Sequence, residues 1–168
     1  KFGSLMKIKV DNMRMQHDAV LEKADTPAKK LEKIPYGVIA VAAGQGVHAL
    51  FKSMGVTTII NGGQTMNPST EDILKAIEST NAEKTIILPN NKNIFMAADQ
   101  AAEVSDADVV VVASKTISQG LTAMLAFNES VDLETNKANM TAELENVVSG
   151  QITNAVRDTV IDGLAITK

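Results

Sequence analysis

Two periods of apolar and polar residues take turns along this chain. Residues 36–43 (YGVIAVAA) form an apolar run of strand length that ends in Gly44-Gln45-Gly46. Residues 47–54 then carry apolar side chains at helical spacing and stop at Gly55. Thr57-Thr58-Ile59-Ile60 is β-branched throughout and predicts a strand, with a polar loop over 61–69 behind it. In 71–79, Ile73, Leu74 and Ile77 share one helical face, Pro68 precedes it, and Ser69 or Thr70 can cap it. The cycle repeats as strand 85–88, loop 89–93, helix 94–104, strand 109–113, loop 114–119 and helix 120–126. A further helix is predicted over 133–148, with Leu133, Met140, Leu144 and Val147 as its apolar positions. Residues 152–156 and 160–165, with Asp162-Gly163 between or beside them, read as antiparallel strand material.

Strands apolar on both faces, alternating with helices, predict an α/β fold. Its sheet is open, mostly parallel and doubly wound, with a late β-hairpin. Upstream the pattern is different. Lys7-Ile8-Lys9-Val10-Asp11 alternates charged and apolar residues, so residues 1–17 read as the end strand of a preceding domain. Residues 18–35 are rich in lysine and acids and hold Pro27 and Pro35, which reads as a solvated linker. The α/β domain is then 36–168.

Composition narrows the function classes. The 168 residues are 45% hydrophobic and 21% charged, enough for one domain with its own core. Aromatics are only 3%, so that core is built from aliphatic side chains. A net charge of −4 argues against nucleic acid, whose backbone needs clustered Lys and Arg. The absence of cysteine removes disulfides, thiolate nucleophiles and Cys-ligated zinc, and fits a cytoplasmic protein. No apolar run approaches the roughly 18–20 residues needed to span a bilayer. The first residue is Lys rather than Met, as expected of a piece of a longer polypeptide.

The polar loops are where chemistry is expected. Open α/β sheets bind ligands beyond the carboxyl ends of their strands, where strand order reverses. The loops around Gly44-Gln45-Gly46, 62–70, Asn90-Asn91-Lys92-Asn93 and 114–120 all fall on that edge and all open helices. Backbone N–H groups and the positive ends of helix dipoles suit a carboxylate or phosphate there, with Lys92 or Lys115 nearby. Caps and turns use the same residue types, so each position taken singly has a structural reading as well. Gly44-Gln45-Gly46 is half of a dinucleotide fingerprint, but no acidic residue ends the next strand. His17 and His48 have no carboxylate cluster at metal spacing, and no Ser–His–Asp arrangement emerges. No catalytic or metal-binding residue is assigned.

The strings GGQTMNPSTEDI over 62–73 and IILPNNKN over 86–93 are long and distinctive. With Asn12-Met13-Arg14 before Gln16-His17, and Ala155-Val156-Arg157-Asp158-Thr159 near the end, they resemble the C-terminal region of the bacterial fatty acid kinase family, which is dihydroxyacetone-kinase-like. The resemblance implies a parent with an upstream domain that binds ATP and magnesium and phosphorylates a fatty acid on a DegV-like carrier protein. No cofactor is expected in this fragment, which is expected to be inactive alone. A second similarity, to the N-terminal lobe of the DegV-like carriers, runs through 65–69, 90–93 and 114–120. It implies a crevice lined by Thr65, Asn67, Ser69, Asn90, Asn91, Asn93, Ser114 and Thr116. Gln45 stands where the family usually has an acid, and Ser118 where it has a proline. The function implied is a non-catalytic domain that engages the carrier, with self-association through the parent. The alternative is a regulatory domain that binds a small carboxylate or phosphate.

Overall fold

The structure, a computed structural model, describes residues 33–62 and 67–150, and the backbone of strand segments 159–161 and 164–166. Four strands form one sheet: β1 (Ile34–Ala42), β2 (Thr58–Asn61), β3 (Ala82–Leu88) and β4 (Asp108–Val111). Their order is β2-β1-β3-β4 and every neighbouring pair is parallel. Five helices connect and cover them: α1 (Gln45–Ser53), α2 (Thr70–Thr80), α3 (Phe95–Val104), α4 (Ile117–Leu125) and α5 (Leu133–Leu144). A short 3-10 turn, Lys92–Ile94, leads into α3. The open, parallel, doubly wound α/β sheet expected from the sequence is therefore present.

Period two within β1 explains the two layers. Val38, Ala40 and Ala42 face a cluster with Phe51 of α1, Ala123 and Met124 of α4, and Met140 and Leu144 of α5. Ile39 and Val41 face the other side, against Ile73 and Ile77 of α2 and Ala98 and Ala101 of α3. Ile39, Ile73, Ile86 and Ile87 are completely buried. Each such side chain contributes about 1.5–3 kcal/mol by leaving water.

Gly37 lets α2 close onto the sheet. A Cβ there would come within 2.3 Å of Thr80 Cγ2 and 2.9 Å of Ala82 Cβ. The Thr80 hydroxyl donates to Ala76 O at 2.7 Å, so the 2.7 Å bond between Thr58 and Thr80 has Thr58 as its donor. On the other layer, buried Asn136 braces the α4–α5 connection. Its Oδ1 accepts from Asn128 N–H at 2.9 Å, and its Nδ2 donates to Asn128 O at 2.8 Å.

Several boundaries differ from the sequence reading, each for a physical reason. β3 starts at Ala82 rather than at 85, because Glu83 and Lys84 sit at the sheet rim where charge reaches solvent. α4 starts at Ile117, three residues before Gly120, a glycine that reads as loop punctuation in the sequence. α5 ends at Leu144, short of 148. The late hairpin is β5 (Thr159–Ile161) paired antiparallel with β6 (Leu164–Ile166), with Ile161 opposite Leu164. The strand expected over 152–156, the end strand over 1–17 and the linker up to residue 32 lie outside the described residues.

Candidate functional site

β1 lies at the centre of the sheet, and the chain leaves β1 and β3 towards opposite layers. Such a reversal opens a crevice between the two strand ends. A cleft of about 570 Å³ lies there, within the roughly 300–1,000 Å³ usual for small-molecule sites. All four strands contribute to its wall. Val41 and Ala43 come from the end of β1 and Gly62 from β2, residues 89–94 follow β3, and residues 115–117 follow β4.

Asn90 holds the wall together. Its backbone is left-handed, with φ of 55°, a conformation that asparagine tolerates better than most residues. Its side chain is 7% exposed. Asn90 Nδ2 donates to Val41 O at 3.0 Å, and Asn90 N–H donates to Ser114 Oγ at 3.1 Å. The Ser114 hydroxyl returns a bond to Asn90 Oδ1 at 2.8 Å. One side chain thus ties together the ends of β1, β3 and β4. Gly120, on the first turns of α4, makes room for it: a Cβ there would fall 2.0 Å from Asn90 Oδ1. A glycine inside a helix costs about 1 kcal/mol against alanine, and here it is what lets α4 pass over the clamp.

The neighbouring polar residues cap helices. Asn91 Oδ1 accepts from Asn93 N–H at 3.0 Å at the start of the 3-10 turn. The Thr116 side chain accepts from Gln119 N–H at 3.2 Å to cap α4, and its hydroxyl lies 2.8 Å from Ser149 Oγ. Gln119 joins this loop to α5, accepting from Lys115 N–H at 2.7 Å and donating to Leu144 O at 3.1 Å. Ser69 caps α2 in a reciprocal box with Asp72, whose carboxylate accepts from Ser69 N–H at 2.9 Å and from the Ser69 hydroxyl at 2.7 Å. These bonds, the side-chain one first, hold the Asp72 carboxyl below its ordinary value.

The residues expected to form a crevice therefore divide. Asn90, Asn91, Asn93 and Thr116 border the cleft, and Ser114 lies buried behind Asn90. Asn67 and Ser69 are exposed and do not border it. Thr65 lies outside the described residues. Among the described residues, Lys92 and Lys115 are the only charged members of the wall. Both are exposed, and neither has a carboxylate partner among the described residues. Their signal in the sequence is a lysine set inside a loop of neutral polar residues at a strand's carboxyl end.

The half-buried His48 points back into the fold, its Nε2 donating to Ala42 O at 2.9 Å. Among the described residues no three of His, Asp and Glu come together as a metal set, and no helix is long and apolar enough to cross a membrane. The Ser114 proton is committed to Asn90, and no acid or histidine stands in the described cleft wall. Chemically, this arrangement binds; it does not activate a nucleophile.

Comparison with known proteins agrees with this architecture. Residues 37–168 match the family model of the FakA-like C-terminal domain of fatty acid kinase. Protein YloV of Bacillus subtilis (strain 168) is 51% identical over 170 residues, covering 99% of this chain and 31% of that protein. An uncharacterised protein of Staphylococcus aureus (strain USA300) is 51% identical over 169 residues, covering 100% of this chain and 31% of its own length. The chain thus spans about a third of the curated relatives it matches. With the family model covering nearly all of the described α/β domain, the chain belongs to the FakA-like C-terminal family of fatty acid kinases.

Proposed function

We propose that this is the non-catalytic C-terminal domain of a cytoplasmic fatty acid kinase, and that it engages a DegV-like carrier protein. The carrier presents its fatty acid to an upstream domain of the parent, which binds ATP and magnesium and performs the phosphoryl transfer. The carrying observation is the family match over 37–168. The cleft adds support, because its described wall offers hydrogen-bond donors and two lysines but no general base or metal set. Such a domain contributes by positioning: holding the carrier near the kinase turns an encounter between two proteins into an event at high effective concentration.

Removing residues 36–168 from the full-length parent tests this. The expected result is a large rise in the concentration of loaded carrier needed for half-maximal phosphorylation, with slow ATP turnover by the upstream domain retained. An unchanged rate and an unchanged carrier dependence would contradict the proposal.

A further inference from the structure

We propose that the cleft between the ends of β1 and β3 is a binding site for a phosphoryl dianion, either the free ion or the phosphoryl end of a larger molecule. This stands apart from carrier engagement and does not rest on it.

The internal hydrogen bonds of the wall decide what it presents to a ligand. Asn90 Oδ1 is occupied by the Ser114 hydroxyl, and Asn91 Oδ1 by Asn93 N–H. Each amide has its acceptor tied down, so its NH2 group is what remains to offer. Asn90 Nδ2 gives one proton to Val41 O and keeps a second. Among the described residues, Asn91 Nδ2 has neither of its protons committed. Asn90 is more than nine-tenths buried, so a donor left there without a partner costs more than one in water. Lys92 and Lys115 add two ammonium groups from opposite sides of the cleft, one after β3 and one after β4.

The described wall contains no carboxylate, and the helices that open beside it agree with that. The first turns of α3 and α4 hold no acidic residue, whereas α2 has Glu71 and Asp72 and α5 has Glu134. Around this cleft the helix dipoles are left uncompensated. A wall of donors with two positive charges matches an oxyanion that only accepts hydrogen bonds and carries two negative charges. A monovalent carboxylate leaves one lysine without a counter-charge, so the phosphoryl group is the better match.

The test follows the backbone and side-chain amide NMR signals of the chain during titration with sodium phosphate at constant ionic strength. Saturable shifts centred on residues 90–93 and 115–116 are expected, with acetate binding at least about tenfold more weakly. Lys92→Ala and Lys115→Ala should each weaken phosphate about fivefold, while Lys75→Ala, on the outer face of α2 beside Glu71, leaves it unchanged. Both cleft lysines are exposed, so folding is not at stake in these variants. Acetyl phosphate and methyl phosphate separate the sources: tighter binding than phosphate assigns a phosphorylated organic group, weaker binding the free ion, and either supports the site. Equal affinity for acetate and phosphate, shifts that follow chloride equally well, or lysine variants that bind like the wild type would overturn it.

Discussion

Asn90 and Gly120 form a matched pair, and their geometry makes that pairing measurable. Asn90→Ala removes donors and acceptors from Val41 and Ser114 and places alanine at a φ of 55°. The expected loss is about 2–4 kcal/mol in urea unfolding. Gly120→Ala drives a methyl group into Asn90 Oδ1 and should cost a similar amount, because the clamp must break to admit it. The double variant should lose clearly less than the sum of the two, since without the asparagine side chain the new methyl has nothing to strike. Additive losses would show that the contact does not couple them. At this scale the sequence is only half legible. It marks Asn90, Asn91, Asn93, Ser114 and Thr116 as unusual, but residue type does not distinguish a ligand donor from a clamp or a cap. That distinction depends on which strand end lies opposite, as Val41 lies opposite Asn90 across 49 positions of sequence.

Helix starts dominate the behaviour of the individual elements. α2 and α5 open with carboxylate caps, Asp72 bonded to Ser69 and Asp132 bonded to Thr135. The Asp132 carboxyl is held below its ordinary value chiefly by the Thr135 hydroxyl, then by Thr135 N–H. A carboxyl with a lowered pKa in the folded state stabilises the fold above its unfolded value. That contribution is lost as pH falls through the lowered value. Ser69→Ala should therefore cost about 1 kcal/mol at neutral pH. It should also lose less further stability between about pH 5 and pH 2 than the wild type does, because its Asp72 no longer carries the shift. Parallel acid-induced losses in urea titrations would contradict this account of the cap. The α2 start is readable from Pro68, Ser69 and Glu71 because capping is local chemistry. The α4 start is not, because Gly120 looks like a helix breaker until the buried clamp beneath it is known.

For the molecule as a whole, the doubly wound sheet is legible because β1 and β3 are apolar on both faces, which only a sheet covered on both sides permits. The place of the cleft follows from topology, since order β2-β1-β3-β4 puts the reversal between β1 and β3. Its content is less legible. Asn67 and Ser69 stand away from it, and the two lysines that give it charge emerge only when the loops after β3 and β4 are brought together. The central claim is that this domain meets a fatty-acid carrier, and calorimetric titration of the chain with a DegV-like carrier from the same organism tests it most directly. Saturable one-to-one binding is predicted, with a difference between fatty-acid-loaded and unloaded carrier if the domain senses the cargo. No heat of binding with either form, in a chain whose fold is verified by its urea transition, would contradict the claim.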